Sequence, residues 1–188
     1  MSSSTRIEIV GFRKRFKDVE VRIDTLTLDA SLNVLLGANG SGKTTLLKAV
    51  AGLLKHEGVI SFEGTSIYAE ERCVLPGEMK TVDFLSALRS LEHTDPDRLK
   101  RLLAHFDCER LLDRRLDALS KGMRQKINLI VTLMVERDVY LLDEPLSGLD
   151  KTGRSQLTAW LTTAAETFVC ATHLESSFTD VKHKRVRL

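Results

Sequence analysis

The chain has 188 residues, with 28 basic and 26 acidic side chains and a net charge of +2, so bulk charge draws it to neither nucleic acid nor acidic lipid. That length suits one domain with its own core, and no stretch approaches the ~20 apolar residues that span a bilayer. Three scattered cysteines, Cys73, Cys108 and Cys170, lack CxxC spacing and fit a reducing cytosol better than a disulfide framework or a zinc site.

In chain order, the first five residues have no apolar h-region and read as a frayed end, not a signal peptide. Arg6–Val10 and Val19–Leu28 read as strands, the second with Val19, Val21 and Ile23 alternating with charged residues as in a half-exposed antiparallel sheet. Leu32–Leu36 is nearly all apolar and stops at Gly37, the pattern of a strand buried on both faces of a parallel sheet. Thr44–Leu54 has helical periodicity through Leu46, Leu47, Val50, Leu53 and Leu54. Val59–Phe62 and Ser66–Tyr68 are further strand candidates. From Thr81 to Leu119 the pattern is helical and charged, with Asp95-Pro96-Asp97 as a helix start. Val139–Leu142 and Phe168–Ala171 return to buried-strand character around the amphipathic segment Lys151–Ala165. Strands alternating with helices, plus an inserted helical block, predict an α/β fold with a mostly parallel core sheet.

Gly37-Ala-Asn-Gly-Ser-Gly-Lys-Thr-Thr45 has the form GxxxxGK[ST] of a phosphate-binding loop. Glycines at 37, 40 and 42 let backbone amides turn inward, and the following helix adds unpaired N–H groups and the positive end of its dipole. Asn39, Ser41 and Thr45 complete the loop; Lys43 is placed to reach the β and γ phosphates, and Thr44 to ligate Mg²⁺. Asp143 and Glu144 end a buried strand, the sheet edge where α/β folds bind ligands. Asp143 is the candidate metal carboxylate, and Glu144 the candidate to orient or deprotonate a water. Adjacent residues of an extended chain point to opposite sides, which suits two roles. Read blandly, Asp-Glu-Pro is a solvated turn. Leu119-Ser-Lys-Gly-Met123 opens the apolar-periodic helix Lys121–Glu136, with Ser120 as its cap.

The phosphate loop, Leu119–Met123, Asp143–Glu144, Ser147-Gly-Leu-Asp150 and His173, in this order, resemble the ATP-binding cassette ATPases of ABC transporters from about Ile7 to His173. The form LSKGM is similar to that of the drug-, sodium- and haem-exporter branch. The resemblance implies a phosphate-loop NTPase with an antiparallel β subdomain near the N-terminus and an inserted helical subdomain. The whole of 1–188 would be one ATPase domain, with 1–75 and 138–188 as nucleotide-binding core, about 79–137 as helical subdomain, and no further domain after His173.

It also implies Mg²⁺-dependent ATP hydrolysis, with catalytic roles for Glu144, His173 and Lys43. Two cassettes, as a homodimer or with a paired subunit, would sandwich two ATP head to tail. Ser120 and Gly122 would then face the γ phosphate held by the partner, with Asp150 at the junction. The partner that is driven would be a separate transmembrane permease, from the inner face of the cell membrane, with no nucleic acid involved. Phe16, with Phe12 second, is the candidate aromatic for adenine stacking; either is equally readable as core.

One element departs from the family. No glutamine stands where the resemblance expects one; Cys73–Thr81 puts Gly77 there, with Glu78 adjacent as a partial substitute. His56, His93, His105 and His183 have no ligand spacing, and Lys182–Arg187 reads as a solvated edge strand. The alternatives are a soluble ABC ATPase without a transport role, a small phosphate-loop kinase and a non-hydrolysing binding module.

Overall fold

The structure, a computed structural model, describes residues 4–71, 74–92, 94–173, 178 and 183–188. The expectations attached to Cys73, His93 and Lys182 lie outside these residues. The described chain divides into two units, the first formed by Met1–Tyr68, Arg137–Pro145 and Leu161–Leu188, the second by Ala69–Glu136 and Leu146–Trp160.

In the first unit, β1 (Ile7–Arg15), β2 (Glu20–Leu28) and β4 (Glu57–Ser61) form an antiparallel sheet in the order β2-β1-β4. β1 runs further than the apolar alternation alone indicates, to Arg15, and the turn before β2 is correspondingly shorter. Beyond Val10 the alternation breaks at Gly11, where φ is +63° and the β1–β4 register shifts. Such an irregularity carries a strand past an interruption in its pattern. Ile7, Ile9 and Phe12 supply the buried face of β1, so Phe12 is a core residue, its ring 5.3 Å from that of His56.

The second sheet has the order β5-β6-β7-β3-β8, from β3 (Leu32–Leu36), β5 (Ser66–Ala69), β6 (Val139–Asp143), β7 (Thr167–Thr172) and β8 (Lys184–Arg187). The pairs β3–β7, β6–β7 and β3–β8 are parallel. Every residue of β3, β6 and β7 is buried, which is why these segments read as nearly continuous apolar runs. The basic β8 lies at the edge, alternating half-buried and exposed residues.

Between β3 and β4 runs α1 (Lys43–Val50). It stops short of the expected Leu54. Gly52 takes φ +72°, its N–H bonds Ala49 O, and the Leu53 N–H bonds Lys48 O, the paired bonds of a Schellman stop. Leu53 therefore leaves the helical face and is exposed.

The second unit holds α2 (Thr81–Glu92), α3 (Pro96–His105), α4 (Lys121–Met134) and most of α5 (Lys151–Thr163). Asp95 caps α3 by accepting from the Asp97 and Arg98 N–H groups, with Pro96 in the first turn. Among the described residues, no helix is long and apolar enough to cross a membrane.

Candidate functional site

The phosphate loop joins the end of β3 to the start of α1. Gly40 and Gly42 take φ +83° and +98°, a region closed to most side chains. A Cβ on Gly42 would also meet Val21 of β2 at 2.5 Å, so the first sheet is packed directly against the loop. Lys43 is buried, and its Nζ donates to the carbonyls of Gly37 and Ala38 at 2.8 and 2.9 Å. The ammonium is thus folded back across the loop it serves. Ser41 Oγ is buried and, among the described residues, has no hydrogen-bond partner. A buried hydroxyl of that kind, in a glycine loop that also holds an ammonium, fits an anionic ligand.

Asp143 closes β6, and its buried carboxylate accepts from Thr44 Oγ1 at 2.7 Å and from Tyr68 Oη at 3.1 Å, both on Oδ2. Thr44 and Asp143 are hard oxygen donors held together, the kind of pair that Mg²⁺ takes. Glu144 departs from the extended geometry expected for it. Its φ is +45°, while its N–H bonds Ala171 O of β7 at 2.9 Å. Left-handed backbone at a non-glycine residue carries strain of order 1–3 kcal/mol, held by its surroundings. The two carboxylates do diverge, but through this sharp turn and not through strand alternation.

Glu144 faces the end of β7. Its Oε2 accepts from Thr172 Oγ1 at 3.0 Å, and its Oε1 accepts from the His173 N–H at 3.0 Å. His173 Nδ1 stands 2.8 Å from the same Oε1. Against an ionised carboxylate that nitrogen must carry the proton, leaving Nε2 as the other face of the ring. Within the first unit, then, Lys43, Thr44, Asp143, Glu144 and His173 form one continuous edge.

Phe16 lies apart from this chain of contacts, in the turn after β1; the residue is 44% exposed, and Lys14 Nζ is 5.7 Å from its ring centroid. Phe12, the second candidate, is excluded from contact with any ligand by its burial in the core.

Ser120, Gly122 and Asp150 meet within the second unit. Ser120 Oγ accepts from Met123 N at 3.3 Å, and Asp150 Oδ1 accepts from Gly153 N at 2.7 Å, each capping its helix. All three line one cavity of about 240 Å³ with Arg110, Cys108 and Lys126. A Cβ on Gly122 would come within 3.0 Å of the Gly148 carbonyl, so the glycine permits close approach of the Ser147–Asp150 turn. Burial pushes the Cys108 thiol up to about 11.

The position of the expected glutamine needs correction. β5 ends at Ala69, so the residues directly after that strand are Glu70 and Glu71, and Gly77 comes eight positions beyond it. Gly77 O accepts from Asp117 N at 3.0 Å in a turn pinned to the 115–117 segment, and Glu78 is exposed. Ser147 Oγ donates to Glu71 Oε1 at 3.5 Å. Neither Tyr68 nor Glu71 is distinguishable by pattern from an edge-strand tyrosine and a surface acid.

The remaining histidines have local roles where they are described. His105 Nε2 is 2.7 Å from the Gln156 carbonyl, and His183 Nε2 accepts from Arg185 Nε at 2.9 Å.

A glycine loop between a buried parallel strand and a helix, beside a strand-end carboxylate pair, defines a phosphate-loop NTPase core. Residues 25–147 match the family model described as ABC transporter, and the chain belongs to that family, in its ATP-binding domain. It is 35% identical to the molybdenum import ATP-binding protein ModC 2 of Azotobacter vinelandii, over 67% of this chain and 40% of that protein. It is 34% identical to the sulfate/thiosulfate import ATP-binding protein CysA of Escherichia coli K12, over 96% of this chain and 56% of that protein. The chain thus spans about half the length of these curated relatives. A putative ABC transporter ATP-binding protein from Pyrococcus furiosus superposes with a TM-score of 0.82 at 25% identity, covering 97% of both chains.

Proposed function

We propose that the chain is an ATP-binding and hydrolysing subunit of an ABC transporter, acting as a head-to-tail pair around two ATP and driving a separate membrane permease from the inner face of the membrane. The carrying observation is the opposed pair at the end of β6, with Asp143 turned to Thr44 and Glu144 turned to Thr172 and His173. One carboxylate serves metal and the other serves water, as in-line phosphoryl transfer requires.

Lys43, the loop amides and Ser41 would hold the triphosphate; Thr44 and Asp143 would hold Mg²⁺, which supplies charge neutralisation on the phosphate oxygens. Glu144 accepts the proton of the attacking water, and His173 keeps its carboxylate aimed. Phe16 is the proposed adenine platform, its exposed ring available for stacking. Ser120 and Gly122 would present the N-terminus of α4 to the γ phosphate of the partner copy, with Asp150 beside them. The Leu119–Met123 form supports export, whereas the names of ModC 2 and CysA specify import. Transport into or out of inverted vesicles carrying the permease decides the direction.

The pairing is tested with Glu144→Gln, which keeps nucleotide while slowing its loss. Sedimentation should show a dimer with ATP and a monomer without it. A monomer that hydrolyses ATP at full speed, with no nucleotide-dependent change in mass, would overturn the paired site.

A further inference from the structure

Tyr68 is unaccounted for by any role given so far, yet its hydroxyl ends on the most consequential oxygen of the site. Tyr68 Oη and Thr44 Oγ1 both donate to Asp143 Oδ2, at 3.1 and 2.7 Å. The ring is itself placed, with Lys48 Nζ of α1 lying 5.6 Å from its centroid. Strand β5, helix α1 and strand β6 therefore converge on one carboxylate that is only 6% exposed.

A carboxylate at a strand end can rotate about its last torsion, which is broad and soft. Each donor on Oδ2 narrows that rotation. A second donor on the same oxygen, arriving from a different element, selects one orientation and so fixes where the other oxygen points. Fixing a ligand before the cation arrives removes a reorganisation cost from binding, the usual function of an outer-shell partner.

We infer that Tyr68 is a positioning residue for the metal site: its hydroxyl locks the Asp143 carboxylate in register with Thr44 for the divalent cation that accompanies the nucleotide. The inference rests on the nucleotide-site reading above. It concerns the hydroxyl and not the ring, because Phe retains the packing and the Lys48 contact while deleting the donor.

The test titrates Mn²⁺, followed by its electron paramagnetic resonance signal, into the full chain with ATP, and measures nucleotide affinity separately in EDTA. Tyr68→Phe should raise the Mn²⁺ concentration for half-saturation about tenfold. Its metal-free nucleotide affinity should stay within about twofold, since no loop contact is lost. In an Asp143→Asn background the same change should add nothing, because its acceptor no longer carries the charge that the hydroxyl orients. Wild-type Mn²⁺ dependence in Tyr68→Phe overturns the inference while leaving the nucleotide site standing. So does an equal loss in EDTA, or a further loss on top of Asp143→Asn. If the wild-type chain binds nucleotide with no response to metal, the site reading itself fails and the inference goes with it.

Discussion

Replacing Glu144 by Gln separates chemistry from binding. Glu144 has two oxygens engaged, Oε2 with Thr172 Oγ1 and Oε1 with both the backbone N–H and Nδ1 of His173. A glutamine amide can keep its carbonyl oxygen toward His173, where two donors already converge. Its NH₂ then faces the Thr172 hydroxyl, which can rotate to accept. The turn at φ +45° and the bond from the Glu144 N–H to Ala171 O involve only backbone and survive the change. What disappears is the capacity to take a proton. General-base assistance is worth about 10²–10⁴ in rate, which at 1.36 kcal/mol per decade is ~3–5 kcal/mol of barrier. We expect turnover in a phosphate-release assay to fall by that factor, while ATP affinity by equilibrium titration changes less than about threefold. Turnover within threefold of wild type refutes Glu144 as the base. Loss of ATP affinity along with turnover refutes the separation of roles at the end of β6.

The two aromatic candidates should part company. Phe12→Ala empties a fully buried site and should cost about 3–5 kcal/mol, seen as a large drop in melting temperature. Phe16→Ala should leave melting within about 2 °C, since surface changes rarely exceed ±0.5 kcal/mol, yet weaken ATP binding several-fold if the ring stacks on adenine. Cys108 offers a probe of the second unit. Its burial disfavours the thiolate and moves titration to about 11, so near pH 8 the protonated thiol dominates and alkylation should be negligible in the folded chain. Peptide mapping should find the Cys108 adduct only after denaturant is added; rapid labelling in the native state would contradict the packing around it.

Much of this molecule was written in local pattern. Leu32–Leu36 reads as a strand with the bounds it has in the fold, because a strand buried on both faces is a mostly apolar run, here with Leu32 and Leu36 at its ends and Gly37 after it. Asp95 and Ser120 are legible as caps, since capping is chemistry between residues two or three apart. The phosphate loop is equally local, its glycines and lysine being fixed by the path of a single turn. Other features required distant partners. Leu53 follows the helical rhythm but is turned out by a stop built at Gly52. Phe12 and Phe16 are interchangeable by pattern, and only sheet packing buries one and exposes the other. The glutamine position was misplaced because a strand end is set by its pairing and not by the residues after it. The left-handed turn at Glu144 exists because β7 lies alongside to accept its N–H, and Tyr68 meets Asp143 only because β5 lies beside β6. Sequence alone determined which groups the chain carries for holding phosphate and metal. Tertiary structure decided which of them share an oxygen, since that depends on strands brought together from 75 residues apart.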